Sequence, residues 1–178
     1  MVFLSAGHHI KDPGAIGVDG RKEADEAIKL RNAVVKYCLD RGLKVISDND
    51  NETLSQYLMR IKTGNGSVVL EIHFDAFNKL ASGTTALVGD DADRLDKLFG
   101  KEMVDFTSNT LGIKNRGVIS EAKSHRGKLG LMREQGIVCL IEVCFIDNFS
   151  DMTNYDKNFF SLASGYAAII EKFEKLIE

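Results

Sequence analysis

Apolar and polar positions along the chain follow two rhythms. Short, nearly continuous apolar runs alternate with longer stretches whose apolar residues recur three or four apart, and that alternation predicts an α/β fold. Runs at 2–6, 43–47, 68–73, 83–88 and 137–145 read as strands. VVLEIHF (68–74) and IVCLIEVCF (137–145) are nearly continuous, as central strands covered on both faces would be. Helical spacing of Ala24, Ala27, Leu30, Val34 and Cys38 predicts a helix over about 22–41, with Gly42 as its C-terminal stop. Further helices are predicted over about 52–62, 90–109 and 158–177, the last carrying Phe159, Leu162, Tyr166, Ile170 and Phe173 on one face. Between Gly112 and Arg133 the pattern weakens. There NRGVI and KLGLM suggest short strands, and SEAKSHRG an exposed loop with His125 in solvent. The expected architecture is one domain over 1–178, a mostly parallel central sheet with helices on both faces and a ligand site at the carboxyl ends of the strands.

Composition narrows the function classes. With 178 residues, 44% hydrophobic and 28% charged, the chain can bury a substantial single core. A net charge of -3 supplies no basic field, so nucleic acid is not an expected partner. The three cysteines are an odd number. Cys139 and Cys144 lie in one predicted strand at a spacing that points them to opposite faces, which leaves no disulfide framework and suits a reducing compartment. The opening MVFLSAGHH has no basic region ahead of its short apolar run, so it is expected to be neither a signal peptide nor a membrane span. Synthesis in the cytoplasm without an export signal is the corresponding expectation.

Chemistry concentrates in Ser5 to Glu26. A strand delivers His8 and His9 into the glycine-punctuated loop DPGAIGVDG, and a helix follows at once. On a helical wheel Glu23 falls in the apolar stripe, Asp25 faces away and Glu26 lies at the edge. Glu23 is thus the inward acid. His73 is placed at the end of the VVLEIHF strand, and Glu142 interrupts the most apolar stretch of the chain. An ionised carboxylate there must be metal-bound, paired or protonated; a structural pairing with a buried Lys or Arg is the alternative. Glu71 shares a strand face with His73 and could orient its imidazole, or could stand in water at a strand edge. His9 would point away from His8. Two imidazoles and one carboxylate leave a fourth tetrahedral position open for water, the pattern of catalytic zinc.

SAGHHIKDPGAIG followed by Glu23, then EIHFDAFN, then LIEVCFIDN resembles the zinc-dependent N-acetylmuramoyl-L-alanine amidases, typified by a GHGGxDPGAxG opening, an SxHxN strand end and a final LxExGFxxN. The resemblance runs from Val2 to about Asn148 and implies a twisted central sheet. It further implies that His8, Glu23 and His73 hold Zn²⁺ and that Glu142 is the catalytic acid/base. Glu71, Asp75 and Asp12 are then candidates for supporting the ligands or touching substrate. His9 and Ile10 replace a glycine pair, Glu71 a usual Ser, Asp75 a usual Asn and Cys144 a Gly. The implied activity is hydrolysis of the amide between N-acetylmuramic acid and L-alanine, with peptidoglycan as the partner, no separate wall-binding domain and an endolysin-like action after membrane breach. A zinc peptidase acting on stem peptides and a non-catalytic peptidoglycan-binding module remain alternatives.

Overall fold

The computed structural model describes residues 1–124 and 127–177; His125 lies outside them. Among the described residues, strands β1 (Val2–Ala6), β2 (Val45–Ser47), β3 (Val68–Asp75), β4 (Thr84–Val88), β5 (Asn115–Ser120) and β6 (Ile137–Phe145) form one sheet in the order β2-β1-β3-β6-β4-β5. β2, β1, β3 and β6 run parallel, whereas β4 pairs antiparallel with β6 and parallel with β5. The sheet is therefore mostly parallel, as expected.

Period-two alternation splits each central strand between two cores. Val68, Leu70, Ile72 and Phe74 of β3 meet α1 (Glu23–Asp40), α3 (Arg94–Leu111) and α4 (Phe149–Ile177) on one face. Phe3, Val69, Leu87, Val138 and Leu140 meet the short α2 (Leu54–Arg60) and a 3₁₀ turn at Gly130–Arg133 on the other. Along this thinner face the side chains change character toward the strand ends. Apolar residues give way to Ser5 on β1, Glu71 and His73 on β3 and Glu142 on β6, with Ser5 beside Glu71 and His73 beside Glu142 in register.

Four expectations are corrected. The closing helix begins at Phe149 rather than near 158, because the Asn148 side chain accepts from the amides of Ser150 and Asp151 at 2.9 and 3.1 Å and caps it. KLGLM forms the 3₁₀ turn instead of a strand. SEAKSHRG is not exposed throughout: Glu121 is buried, accepting from the Leu129 amide and pairing with Arg133. Finally, the register between β3 and β6 slips where His73 faces Glu142 but Asp75 faces Phe145, so β6 carries an extra residue. That bulge returns Cys144 to the helix-covered core that already holds Cys139.

Candidate active site

His8, Glu23 and His73 arrive from three elements at one point. β1 ends at Ala6, and the Gly7 amide donates to the Ile72 carbonyl at 2.8 Å, which lays the His8 turn against the end of β3. Glu23 opens α1 and is 2% exposed; Asp25 is exposed and Glu26 intermediate, as the helical wheel requires. Its two oxygens reach both rings, Oε1 to His73 Nδ1 at 2.8 Å and Oε2 to His8 Nε2 at 3.3 Å. The Phe74 and Ala15 amides donate to the same carboxylate at 3.1 and 3.0 Å, so its position is fixed by backbone as well. One ligand atom from each of the three residues lies within 4.8 Å of the others.

Each imidazole is also held from behind. His8 Nδ1 meets Asp12 Oδ2 at 2.9 Å, and His73 Nε2 meets Glu71 Oε1 at 2.8 Å. Both nitrogens of His73 thus face carboxylate oxygens, which only a doubly protonated ring can satisfy. Burial alone would lower the His73 pKa, but its hydrogen bonds with Glu23 and Glu71 prevail and push it up to about 10. The Glu23 hydrogen bond likewise raises His8. Glu23 itself, raised by burial, is carried well below the usual carboxylate range by its bonds to His73 and His8. His9 turns away, its Nδ1 accepting the Lys11 amide at 3.4 Å.

Glu142 stands beside this cluster. It is 3% exposed, flanked in register by His73 on one side and Thr85 on the other, and its carbonyl accepts from Thr84 Oγ1 at 2.8 Å. Its side chain lines a cleft of about 320 Å³ together with Asp75, Thr85 and Arg116. Two borderline imidazole donors and one hard carboxylate, converging where an added Cβ at Gly14 would strike His8 and Glu23, form a cradle suited to Zn²⁺.

The sequence profile described as N-acetylmuramoyl-L-alanine amidase matches residues 2–172. The chain belongs to that family. A probable autolysin of Staphylococcus aureus (strain NCTC 8325 / PS 47) is 29% identical over a 179-residue alignment, which takes in 89% of this chain and 35% of the relative. An uncharacterized protein of Clostridium perfringens (strain 13 / Type A) is 29% identical over 162 residues, 86% of this chain and 46% of its own length. The chain therefore spans less than half of each of these curated relatives. The crystal structure of an N-acetylmuramoyl-L-alanine amidase from Clostridium difficile 630 superposes with a TM-score of 0.81 at 16% identity, covering 98% of this chain and 96% of that one.

Within this amidase-family fold, the structure brings His8, Glu23, His73, Glu142, Glu71 and Asp12 to one site, with Asp75 at the cleft edge. Sequence reasoning missed the buried support beneath His8. Arg31 of α1 bonds the carbonyl and carboxylate of Asp48, each at 2.5 Å, and Asp48 accepts the Ala6 amide at 3.3 and 3.4 Å. An arginine in the apolar stripe of α1, beside Leu30 and Val34, was the signal that could have found it.

Proposed function

We propose that this chain hydrolyses the amide joining the lactyl group of N-acetylmuramic acid to L-alanine in peptidoglycan, with residues 1–178 acting as one catalytic domain. The observation that carries the reading is the meeting of His8, Glu23 and His73 directly beside Glu142 on the neighbouring strand. His8 through Nε2, His73 through Nδ1 and Glu23 would hold Zn²⁺. That ion supplies a Lewis acid, polarising the scissile carbonyl and lowering the pKa of water.

The remaining steps belong to the protein. Asp12 and Glu71 hold the rear N–H of His8 and His73, which fixes the tautomers and aims the opposite nitrogens inward. Glu142 takes the proton of the attacking water and returns it to the departing alanine amine. Asp75, on the wall of the Glu142 cleft, faces the substrate.

The test is mass analysis of purified peptidoglycan incubated with the protein, with a chelator and again after zinc is restored. Intact stem peptides with a free N-terminal L-alanine, released only with metal, are expected; shortened stems would make the chain a peptidase, and no cleavage would make it a binding module. The companion reading is an endolysin-like role, with cytoplasmic synthesis and contact with the wall after membrane breach. Co-expression with a membrane-permeabilising protein separates it: lysis only on breach is expected, and lysis without breach overturns it.

A further inference from the structure

The cleft around Glu142 continues into a second chamber of about 510 Å³, walled by Ala76, Phe77, Ala81 and Phe145. Asp75, Arg116 and Ser124 line both, so the two are contiguous. Arg116 stands at the junction. Its Nη1 donates to the Ser82 carbonyl at 3.2 Å, and its guanidinium carbon lies 5.1 Å from the centre of the Phe145 ring. A carbonyl and a ring face hold the head in place but do not neutralise it. Arg21, Arg31, Arg41, Arg60 and Arg133 each pair with a carboxylate, whereas among the described residues Arg116, like Arg94 at the start of α3, pairs with none. The first chamber sets Arg116 and Lys123 against the acids Asp75 and Glu142, and in the second Arg116 and Asp75 are the charged residues of the wall. A guanidinium that makes no ion pair among the described residues, and is held over a cleft by a carbonyl and a ring face, has N–H donors free to receive a carboxylate.

We propose that the second chamber takes the first two residues of the stem peptide and that Arg116 binds the α-carboxylate of the second. This rests on the amidase reading above. The glycan side of the scissile bond offers hydroxyl and acetamido groups, its lactyl carboxyl being consumed in the amide. The peptide side begins with a methyl side chain and continues into a glutamyl residue joined through its γ-carboxyl. That linkage leaves an α-carboxyl, which is a free carboxylate in some walls and a primary amide in others. Ala76, Ala81 and Phe145 suit the methyl group; Arg116 suits the carboxylate and gains little from the amide.

Two substrates differing only there test the proposal, N-acetylmuramoyl-L-alanyl-D-glutamate and its isoglutamine counterpart, each with its γ-carboxyl capped as the methylamide to mimic the wall linkage, cleaved by the zinc-loaded full chain. A charge-assisted bond at a partly open site predicts a preference for the acid of roughly 5- to 20-fold in kcat/KM, carried by KM. Arg116→Gln should erase that preference and Arg116→Lys should keep part of it; an unchanged ratio in Arg116→Gln, or no preference in the native chain, overturns the assignment. Binding is read independently of turnover by titrating the Glu142→Gln protein with the γ-methylamides of L-alanyl-D-glutamate and L-alanyl-D-isoglutamine while following the Arg116 Nε–H resonance. A shift with the acid alone supports the proposal even if no bond is cleaved, which would sink only the amidase reading. No shift, or equal shifts with both dipeptides, overturns the proposal while leaving the amidase reading to the digest.

Discussion

At Gly7 the space for a side chain is already taken. A Cβ there would lie 2.1 Å from His73 Cε1 and 2.2 Å from Nδ1, and the ring cannot retreat because carboxylates hold both of its nitrogens. Gly7→Ala should therefore displace the imidazole and weaken zinc binding by about 10- to 100-fold, the range seen when groups that orient a ligand are lost. Chelator competition measures that loss, with far-UV circular dichroism expected to stay native. Glu142→Gln should act differently. On the proposed mechanism it removes the proton acceptor without adding bulk, so zinc affinity should stay within a few-fold while turnover falls by about 10²- to 10⁴-fold, measured as free L-alanine ends released. The grouping of the candidate site's residues was legible at this scale: histidines at strand ends, a glutamate in the apolar stripe of a helix and another in an apolar strand each violate the pattern around them. Gly7 was not legible, since its reason is a ring contributed from 66 positions away.

Elements were legible where periodicity was uninterrupted. β1, β3, β6 and α1 fall where their apolar patterns place them because each has a strong face to bury. The start of α4 was hidden by the polar stretch SDMTNYDKN, in which only Met152 and Tyr155 carry the helical spacing back from Phe159. Its true marker is Asn148, which caps the helix and also donates through Nδ2 to the Ala81 carbonyl at 3.0 Å. Asn148→Ala should cost about 1 kcal/mol through the cap alone. At this chain length that lowers the melting temperature by roughly 2–4 °C, checked by thermal unfolding. The bulge in β6 was invisible for another reason: it is a property of two strands together, and one strand's sequence does not state its partner's register. With Cys144 on the helix-covered side, Cys38, Cys139 and Cys144 are all buried thiols, burial pushing Cys38 up to about 12. Thiol reagents at pH 8 should leave all three unlabelled in the native protein and label all three once it is unfolded.

For the molecule as a whole, the site joins parts of the chain that the sheet holds less directly. His8 belongs to a loop after β1, Glu23 to the first turn of α1 and His73 to β3, so an ion shared by all three would tie a loop and a helix to the centre of the sheet. Without an ion, Glu23, Glu71 and Glu142 gather three buried carboxylates in one place, with the doubly protonated His73 as the cation between Glu23 and Glu71. A divalent cation binding the folded state and not the unfolded one must then stabilise the fold by mass action. At free zinc 100 times the dissociation constant the gain is about 2.7 kcal/mol. With roughly 2–4 °C per kcal/mol for a chain of this size, the melting temperature should rise by about 5–11 °C. Differential scanning of the chelator-treated protein, with zinc restored stepwise, measures it. Glu142→Gln should show nearly the full rise and His73→Ala little or none. A zinc-dependent rise of equal size in His73→Ala would mean that the ion is held elsewhere, and would remove the ligand assignment while leaving the fold untouched.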